Sequence, residues 1–241
     1  MLADTQHSAV SGQFIAADIE SNISVKTVIG FIELQFVAFS SVLSSDESIT
    51  VKTSEDALVG KLCIFLNRKA RAGGYPFFFH HQQMEDYKSG ASAKPDIGTI
   101  SYSEEIVIRD KYYSSDDSFF SIEAKRLPNP KAAKAKEYVI GSDKPCGGIE
   151  RFKKGIHGRN LYSAAIIGFI QKEDFAYWID KVNSWISELI ISDNNLWKEE
   201  DKLIEVPTIQ DLAKFSSHNY RIKNHDIDYI DLLHFWIKSV A

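Results

Sequence analysis

The sequence predicts an α/β domain, and three observations carry that expectation. A helical pattern opens near residue 54, strand-length apolar segments follow between residues 75 and 125, and helix, strand and helix patterns alternate from residue 130 onward. Alternation of this kind builds a sheet with helices packed on it. The 241-residue chain is 44% apolar, 25% charged and 12% aromatic, which suits an ordinary buried core and excludes disordered, fibrous and membrane-embedded classes.

Taken in order, the first thirty residues are polar and weakly patterned and fit either a loose arm or an early element packed on the domain. Residues 31–43 are apolar enough to be buried as helix or strand, and periodicity does not choose between them. The apolar run 28–43, interrupted by Glu33 and Gln35, falls short of the ~20 residues of a membrane span. Residues 1–50 are therefore expected to form an N-terminal extension or helical arm packed on the core, and 51–241 the main domain. Thr53-x-x-Asp56 reads as a capping box opening a helix, with Leu58, Leu62 and Phe65 on one face, Arg68, Lys69 and Arg71 near its end, and Gly73-Gly74 closing it.

Residues 75–83, with Phe77-Phe78-Phe79, suit a buried strand; 95–101 and 119–125 suit two more, and 106–108 extend the middle one. Residues 131–138 read as helical, and a second helix follows Gly147-Gly148 with Ile149, Phe152 and Ile156 inward. Residues 163–170 form a compact apolar strand. Asp174 is placed to cap the clearest helix, whose Phe175, Trp178, Ile179, Val182, Trp185, Ile186 and Leu189 keep helical spacing. Short strands at 202–206 and 217–222 and an apolar segment at 227–237 complete the order.

Net charge is −5, yet residues 125–159 hold ten Lys and Arg against three Asp and Glu, leaving the remainder at −12. Such a window can supply a phosphate-binding field that the net charge conceals, although a charge run is commonly just a solvated face. Cys63 and Cys146 are far apart and form no C-x-x-C pair, which fits a reducing compartment and gives no zinc signal. With no basic stretch leading into an apolar core at the N-terminus, a soluble, cytoplasmic chain is expected.

The chemistry concentrates in the strand Phe119-Phe120-Ser121-Ile122-Glu123-Ala124-Lys125, which Pro128 and Pro130 end. Two-residue alternation sends Phe120, Ile122 and Ala124 to one side and Ser121, Glu123 and Lys125 to the other. Asp96 opens the preceding strand at Lys94-Pro95-Asp96, and pairing of the two strands brings its carboxylate beside Glu123. Two convergent carboxylates suit Mg²⁺, a hard cation that prefers oxygen and keeps waters for substrate and nucleophile. Lys125 stands where it can orient that water or stabilise charge on a phosphate. The bland alternative is a turn at Pro95-Asp96 and an exposed ion pair worth at most about 1 kcal/mol.

This arrangement resembles the PD-(D/E)XK superfamily of restriction-endonuclease-like nucleases, with Asp96 matching its Asp and Glu123-Ala124-Lys125 its (D/E)-x-K. Glu137-Tyr138-Val139-Ile140, Gly148-Ile149-Glu150-Arg151-Phe152 and Ala165-Ile166-Ile167-Gly168-Phe169 look like the helix-then-strand continuation of bacterial members. Phe215-Ser216-Ser217-His218-Asn219-Tyr220-Arg221 and Leu233-His234-Phe235-Trp236 are similar to their closing segments, so the resemblance spans roughly residues 54 to 240 in short, loose pieces. It implies a restriction-endonuclease-like fold with a central mixed β-sheet flanked by helices. It further implies Mg²⁺, for which Mn²⁺ can substitute, held by Asp96, Glu123 and the carbonyl of Ala124, with Lys125 near the attacking water. Glu55 is the expected additional acid from the helix before the strands, and Glu85 the second choice.

The implied activity is Mg²⁺-dependent hydrolysis of phosphodiester bonds, in DNA more than RNA, in restriction or anti-phage defence. The alternative is an inactive nuclease-fold subunit that binds nucleic acid or a partner protein. A defence-complex partner and a homodimer both fit, and no membrane association is expected. Arg126, Lys131, Lys134, Lys136, Arg151, Lys153 and Lys154 are the expected phosphate contacts. The sequence departs from the simple pattern in its long spacing from Asp96 to Glu123, where residues 112–118 must form an excursion. Adjacent His80 and His81 point apart on a strand, no G-K-[ST] phosphate loop or G-x-S-x-G elbow is present, and His218 and His234 fit structural roles better than ligand roles.

Overall fold

Residues 31–43, whose apolar run fits helix or strand, lie within a helix, α1 (Ala9–Ser45). The computed structural model describes residues 9–85, 93–142, 144–208, 212–222 and 226–239, with the side chains of α1 from residue 25 onward; residues 1–8 of the expected arm lie outside the described residues. Val28, Phe31, Ile32, Phe36, Phe39 and Leu43 recur at helical spacing and are all buried. Phe31 packs on Tyr75, Phe77 and Phe79 with ring centroids 4.6, 5.6 and 5.8 Å away, and Glu33 pairs with Lys214 at 2.8 Å. The expected shortfall against a membrane span does not hold: Val25–Ser45 is long and apolar enough to cross one by length and composition, although a third of it is buried against the domain.

The next elements are α2 (Glu55–Ala72), β1 (Phe77–His81), β2 (Ile97–Ser101), β3 (Glu105–Ile108), β4 (Lys111–Ser114) and β5 (Ser118–Leu127). They are followed by α3 (Gly148–Lys153), β6 (Ser163–Ile170), α4 (Phe175–Ser192), β7 (Ile204–Glu205), β8 (Ala213–Tyr220) and β9 (Tyr229–Lys238). Seven strands form one sheet in the order β1-β2-β5-β6-β9-β8-β7. Pairing is parallel at β5·β6 and β6·β9 and antiparallel elsewhere, so the chain is α/β with a central mixed sheet flanked by helices. β6 lies between two parallel neighbours and is buried along almost its whole length, which its unbroken apolar sequence requires. α1 covers the face bearing Phe77, Phe79 and Phe235, and α3 lies on the opposite face, where a Cβ at Gly148 would be 3.6 Å from both Ile166 Cδ1 and Lys125 Cγ.

Three local expectations need correction. Ser54, not Thr53, caps α2: its side chain accepts the Ala57 N–H at 3.2 Å, while Thr53 Oγ1 accepts the Thr50 N–H at 2.9 Å in the preceding turn. Residues 106–108 do not extend β2; β3 pairs with β4 in a separate hairpin, which accounts for much of the long excursion before β5. Residues 131–138 form only a 3₁₀ turn, Ala132–Lys134, and further turns. Tertiary pairing overrides helix propensity there, because the Glu137, Tyr138 and Val139 carbonyls accept N–H groups of Gly148, Ile149 and Glu150 at the start of α3. The cap at Asp174, which accepts the Tyr177 N–H at 2.7 Å, is found as expected.

Candidate active site

Sheet register brings the motif residues together. β2 and β5 are antiparallel with Ile97 opposite Ile122, so Asp96, one residue before β2, falls beside the next residues of β5. Its Oδ2 accepts the Ala124 N–H at 2.7 Å. Ile122 and Ala124 join the hydrophobic core, and Glu123 and Lys125 alternate to the side on which α3 starts.

Glu55, the first residue of α2, closes the site from another element. Its Oε1 accepts from Lys125 Nζ at 3.1 Å and its Oε2 from the Arg126 N–H at 3.0 Å, while the Arg126 guanidinium donates to the Thr53 carbonyl at 2.8 Å. Lys125 Nζ also donates to Glu123 Oε1 at 2.9 Å and to the Ala124 carbonyl at 2.8 Å. The three ammonium protons thus have three oxygen partners. From α3, Arg151 Nη1 donates to Glu123 Oε1 at 2.8 Å and lies 3.2 Å from His157 Nε2, which is itself 3.5 Å from Glu123 Oε2. Glu123 Oε2 is buried and accepts no hydrogen bond.

Burial and charge pull these groups in opposite directions. Burial pushes the Asp96 carboxyl up to about 7, with Glu123 adding to the rise and Lys125 opposing it. Burial works to raise Glu123 as well, but the Lys125 ammonium, with Arg151 adding, holds its carboxyl below the usual range. Burial also disfavours the Lys125 charge, yet Glu123, Glu55 and Asp96 outweigh it and hold the ammonium well above the ordinary lysine range. His157 is pushed down to about 4 by burial, so its imidazole is neutral at physiological pH.

The donor set fits a hard cation. Oxygens of Glu55, Glu123 and Ala124 already surround one positive charge, the Lys125 ammonium, and Glu123 Oε2 is left without a donor. Among the described residues no three His, Cys, Asp or Glu side chains form a cage by themselves. Mg²⁺ does not require one, since it takes one or two carboxylates and retains several waters.

Glu85 borders the site without bonding to its carboxylates or Lys125. It accepts from Ser121 Oγ, two residues from Glu123 on the same face of β5, at 3.0 Å and through both oxygens from the Gly158 N–H at 2.7 and 2.9 Å, and burial, with the Glu123 charge adding, pushes it up to about 7. The exposed ion pair of the bland alternative is not what forms, because Glu123 is 0% exposed and Lys125 is buried beside it.

The basic window is also largely spoken for. Lys153 cannot be a phosphate contact in this fold: it is 0% exposed, pairs with Asp201 at 2.5 Å and lies 5.4 Å from the Trp197 ring centroid. Lys134 pairs with Glu137 at 2.6 Å, Lys154 with Glu150 at 2.6 Å, and Lys136 with Glu188. Lys131 is exposed.

Sequence reasoning did not single out His157, whose only signal is its place between Gly155 and Gly158, both at positive φ. The two glycines allow the tight path that carries the imidazole to Glu123. Arg221 fixes that loop by donating to the carbonyls of Phe152, Gly158, Arg159 and Leu161. His234 is buried between Tyr138 OH at 2.8 Å and Ser217 Oγ at 2.9 Å and serves the fold, while His218 pairs with Asp231 at 2.6 Å with both side chains partly exposed. No family model, curated protein or solved structure matches the chain.

Proposed function

We propose that the protein is a metal-dependent nuclease of restriction-endonuclease-like fold that hydrolyses phosphodiester bonds, with DNA the favoured substrate. One observation carries this reading: Glu55, Glu123 and the Ala124 carbonyl converge on a single positive charge, with Asp96 tied to the same strand through the Ala124 N–H. Asp96, Glu123 and the Ala124 carbonyl would hold Mg²⁺, with Glu55 the neighbouring acid. When bound, the ion supplies an activated water and charge stabilisation at phosphorus.

The chain's own groups do the rest. Glu55 and the Ala124 carbonyl keep the Lys125 ammonium beside the carboxylates, where its charge can stabilise negative charge developing on a phosphate oxygen. The Ala124 N–H fixes the orientation of Asp96, and Arg126 ties the start of α2 to β5, which anchors Glu55 to the strand that carries Glu123. The order of α2, the antiparallel β1, β2 and β5, then α3 and the parallel β6 supports the fold assignment, and a role in restriction or anti-phage defence follows from the same family likeness.

A second reading, an inactive nuclease-fold subunit that binds nucleic acid or a partner protein, is favoured by the complete burial of Glu123 and the full use of the Lys125 donors inside the protein. Incubation with DNA and RNA panels in Mg²⁺, Mn²⁺ or chelator, alongside calorimetric titration of Mg²⁺, separates the two. Metal-dependent cleavage lost in chelator is expected. Neither cleavage nor measurable metal binding would select the second reading.

A further inference from the structure

We propose that Arg151 is a catalytic residue that binds the scissile phosphate, and that His157 is a positioning residue which aims its guanidinium. This rests on the nuclease reading and assigns the phosphate-binding group within that site.

The case begins with counting donors. Lys125 has each ammonium proton committed, to Glu55, Glu123 and the Ala124 carbonyl. Arg151 makes its hydrogen bonds from Nη1 alone, to Glu123 and toward His157. Among the described residues nothing accepts from its Nε or Nη2, and 28% of the side chain remains exposed. The cation beside Glu123 with donors to spare is therefore Arg151. A guanidinium held at one nitrogen still presents two parallel N–H bonds, the geometry that suits a phosphate, and it never loses its proton.

His157 fixes where that fork points. Arg151 is always a donor, so as a hydrogen bond the 3.2 Å contact has His157 Nε2 accepting and the imidazole proton on Nδ1, which is buried and has no partner; the same Nε2 lies a longer 3.5 Å from Glu123 Oε2. A histidine with one nitrogen unpartnered in the interior and the other against an arginine is poorly explained by packing alone. The surrounding loop is built to hold it: Gly158 donates to both Glu85 oxygens, and Arg221 ties down the Gly158 and Arg159 carbonyls.

The test compares the full-length wild type with Arg151→Ala, Arg151→Lys, His157→Leu and His157→Gln, each at equal folded concentration. Arg151→Ala is expected to lower kcat about 10²- to 10³-fold, as loss of a transition-state donor does. Arg151→Lys keeps a charge for Glu123, folds, and still loses most of that rate because a point charge replaces the fork. His157→Leu should lower kcat at least tenfold with KM nearly unchanged, and His157→Gln, whose carbonyl can accept from Nη1, should recover much of the loss. A purely structural histidine would show equal loss in both variants and would overturn its positioning role, as wild-type kcat in Arg151→Ala would overturn the catalytic one.

A second arm does not depend on turnover: binding of a duplex DNA oligonucleotide in chelator at several salt concentrations. Arg151→Ala should flatten the slope of log K against log salt by about 0.9, one phosphate contact. An unchanged slope, or no binding by the wild type, overturns the proposal. If the wild type binds but cleaves nothing in any metal, the nuclease reading fails while this slope still decides whether Arg151 contacts phosphate.

Discussion

Arg151 and Lys153 leave the same short helix two positions apart and end in two different kinds of buried charge. Lys153 meets one carboxylate, Asp201, both 0% exposed, and Asp201 Oδ2 also accepts the Lys198 N–H at 2.7 Å, so the pair closes on itself. Arg151 meets Glu123 in a cluster where three carboxyl groups face two side-chain cations, one carboxylate oxygen has no partner, and Glu55 and Asp96 retain some exposure. A balanced and sealed pair serves the fold. An unbalanced cluster that opens toward solvent at Asp96, Glu55 and Arg151 has both a reason and a route to take up a further cation and an anionic substrate.

The largest effect that can break this comparison is loss of cleavage. Asp96→Asn, Glu123→Gln and Lys125→Ala are each expected to abolish phosphodiester hydrolysis, and the two carboxylate changes to weaken Mg²⁺ binding in a calorimetric titration. Cleavage at the wild-type rate by any of the three, at equal folded concentration, removes that residue from the site. At an exposed site these changes would be neutral for stability, but Glu123 and Lys125 are buried. Lys125→Ala leaves Glu123 with one cation fewer in the interior and should cost about 3–5 kcal/mol in chemical denaturation.

Lys153→Ala is expected to cost a similar amount, since Asp201 would be stranded, but to leave cleavage per folded molecule unchanged. Replacing both partners, Lys153→Met with Asp201→Leu, should recover most of that stability. If Lys153→Ala instead stays stable and loses activity, the two clusters are not of different kinds.

A smaller effect is read in pH. Asp96 and Glu85 are both pushed up to about 7 by burial in the metal-free chain, whereas a carboxyl in the unfolded chain titrates near 4. Between those values these two carboxyls bind more protons in the folded state than in the unfolded one, so their contribution to stability in chelator falls as pH rises from about 4 to about 7. His157 and His234, pushed down by burial to about 4 and about 3, contribute in the opposite sense below the ordinary histidine value. Asp96→Asn should remove the Asp96 share of the carboxyl decline. Saturating Mg²⁺ should reverse its sign in the wild type, because the cation competes with the Asp96 proton and binds better as pH rises. A thermal midpoint in chelator whose pH dependence from about pH 4 to about pH 8 is identical in the wild type and Asp96→Asn would show that the Asp96 carboxyl is not raised.

The contrast also separates what was legible in the sequence from what was not. Alternation along residues 119–125 put Glu123 and Lys125 on one side, and strand pairing put Asp96 near them, because those inferences need only a two-residue period and a register. Glu55 was reachable because a helix start marks its position. His157 was not, since its approach to Glu123 depends on a loop fixed by Glu85 and Arg221 from distant segments. Lys153 misled because lysines in a run look alike until packing buries one of them. The helix expected over residues 131–138 failed for a related reason: its carbonyls were required by the start of α3.

The smallest expected effect concerns the remaining basic residues, and it ranks them by how firmly each is already paired. Lys131 is exposed, and no carboxylate pairs with it among the described residues, so Lys131→Ala should flatten the salt dependence of duplex DNA binding by up to about 0.9 if it meets a phosphate. Lys136 comes next, because the Glu188 side chain that holds it is 57% exposed and such a pair is worth at most about 1 kcal/mol, little enough for a phosphate to displace. Lys134 and Lys154 should contribute least. Their partners, Glu137 and Glu150, have side chains only 13% and 5% exposed, and taking the lysine away to a phosphate would leave a covered carboxylate without its cation. Lys153→Met should not move the slope at all. Titrations in chelator at several salt concentrations read all five variants on one scale, and a Lys154→Ala slope change as large as that of Lys131→Ala would mean that pairing in the free protein does not govern which lysines reach the phosphates.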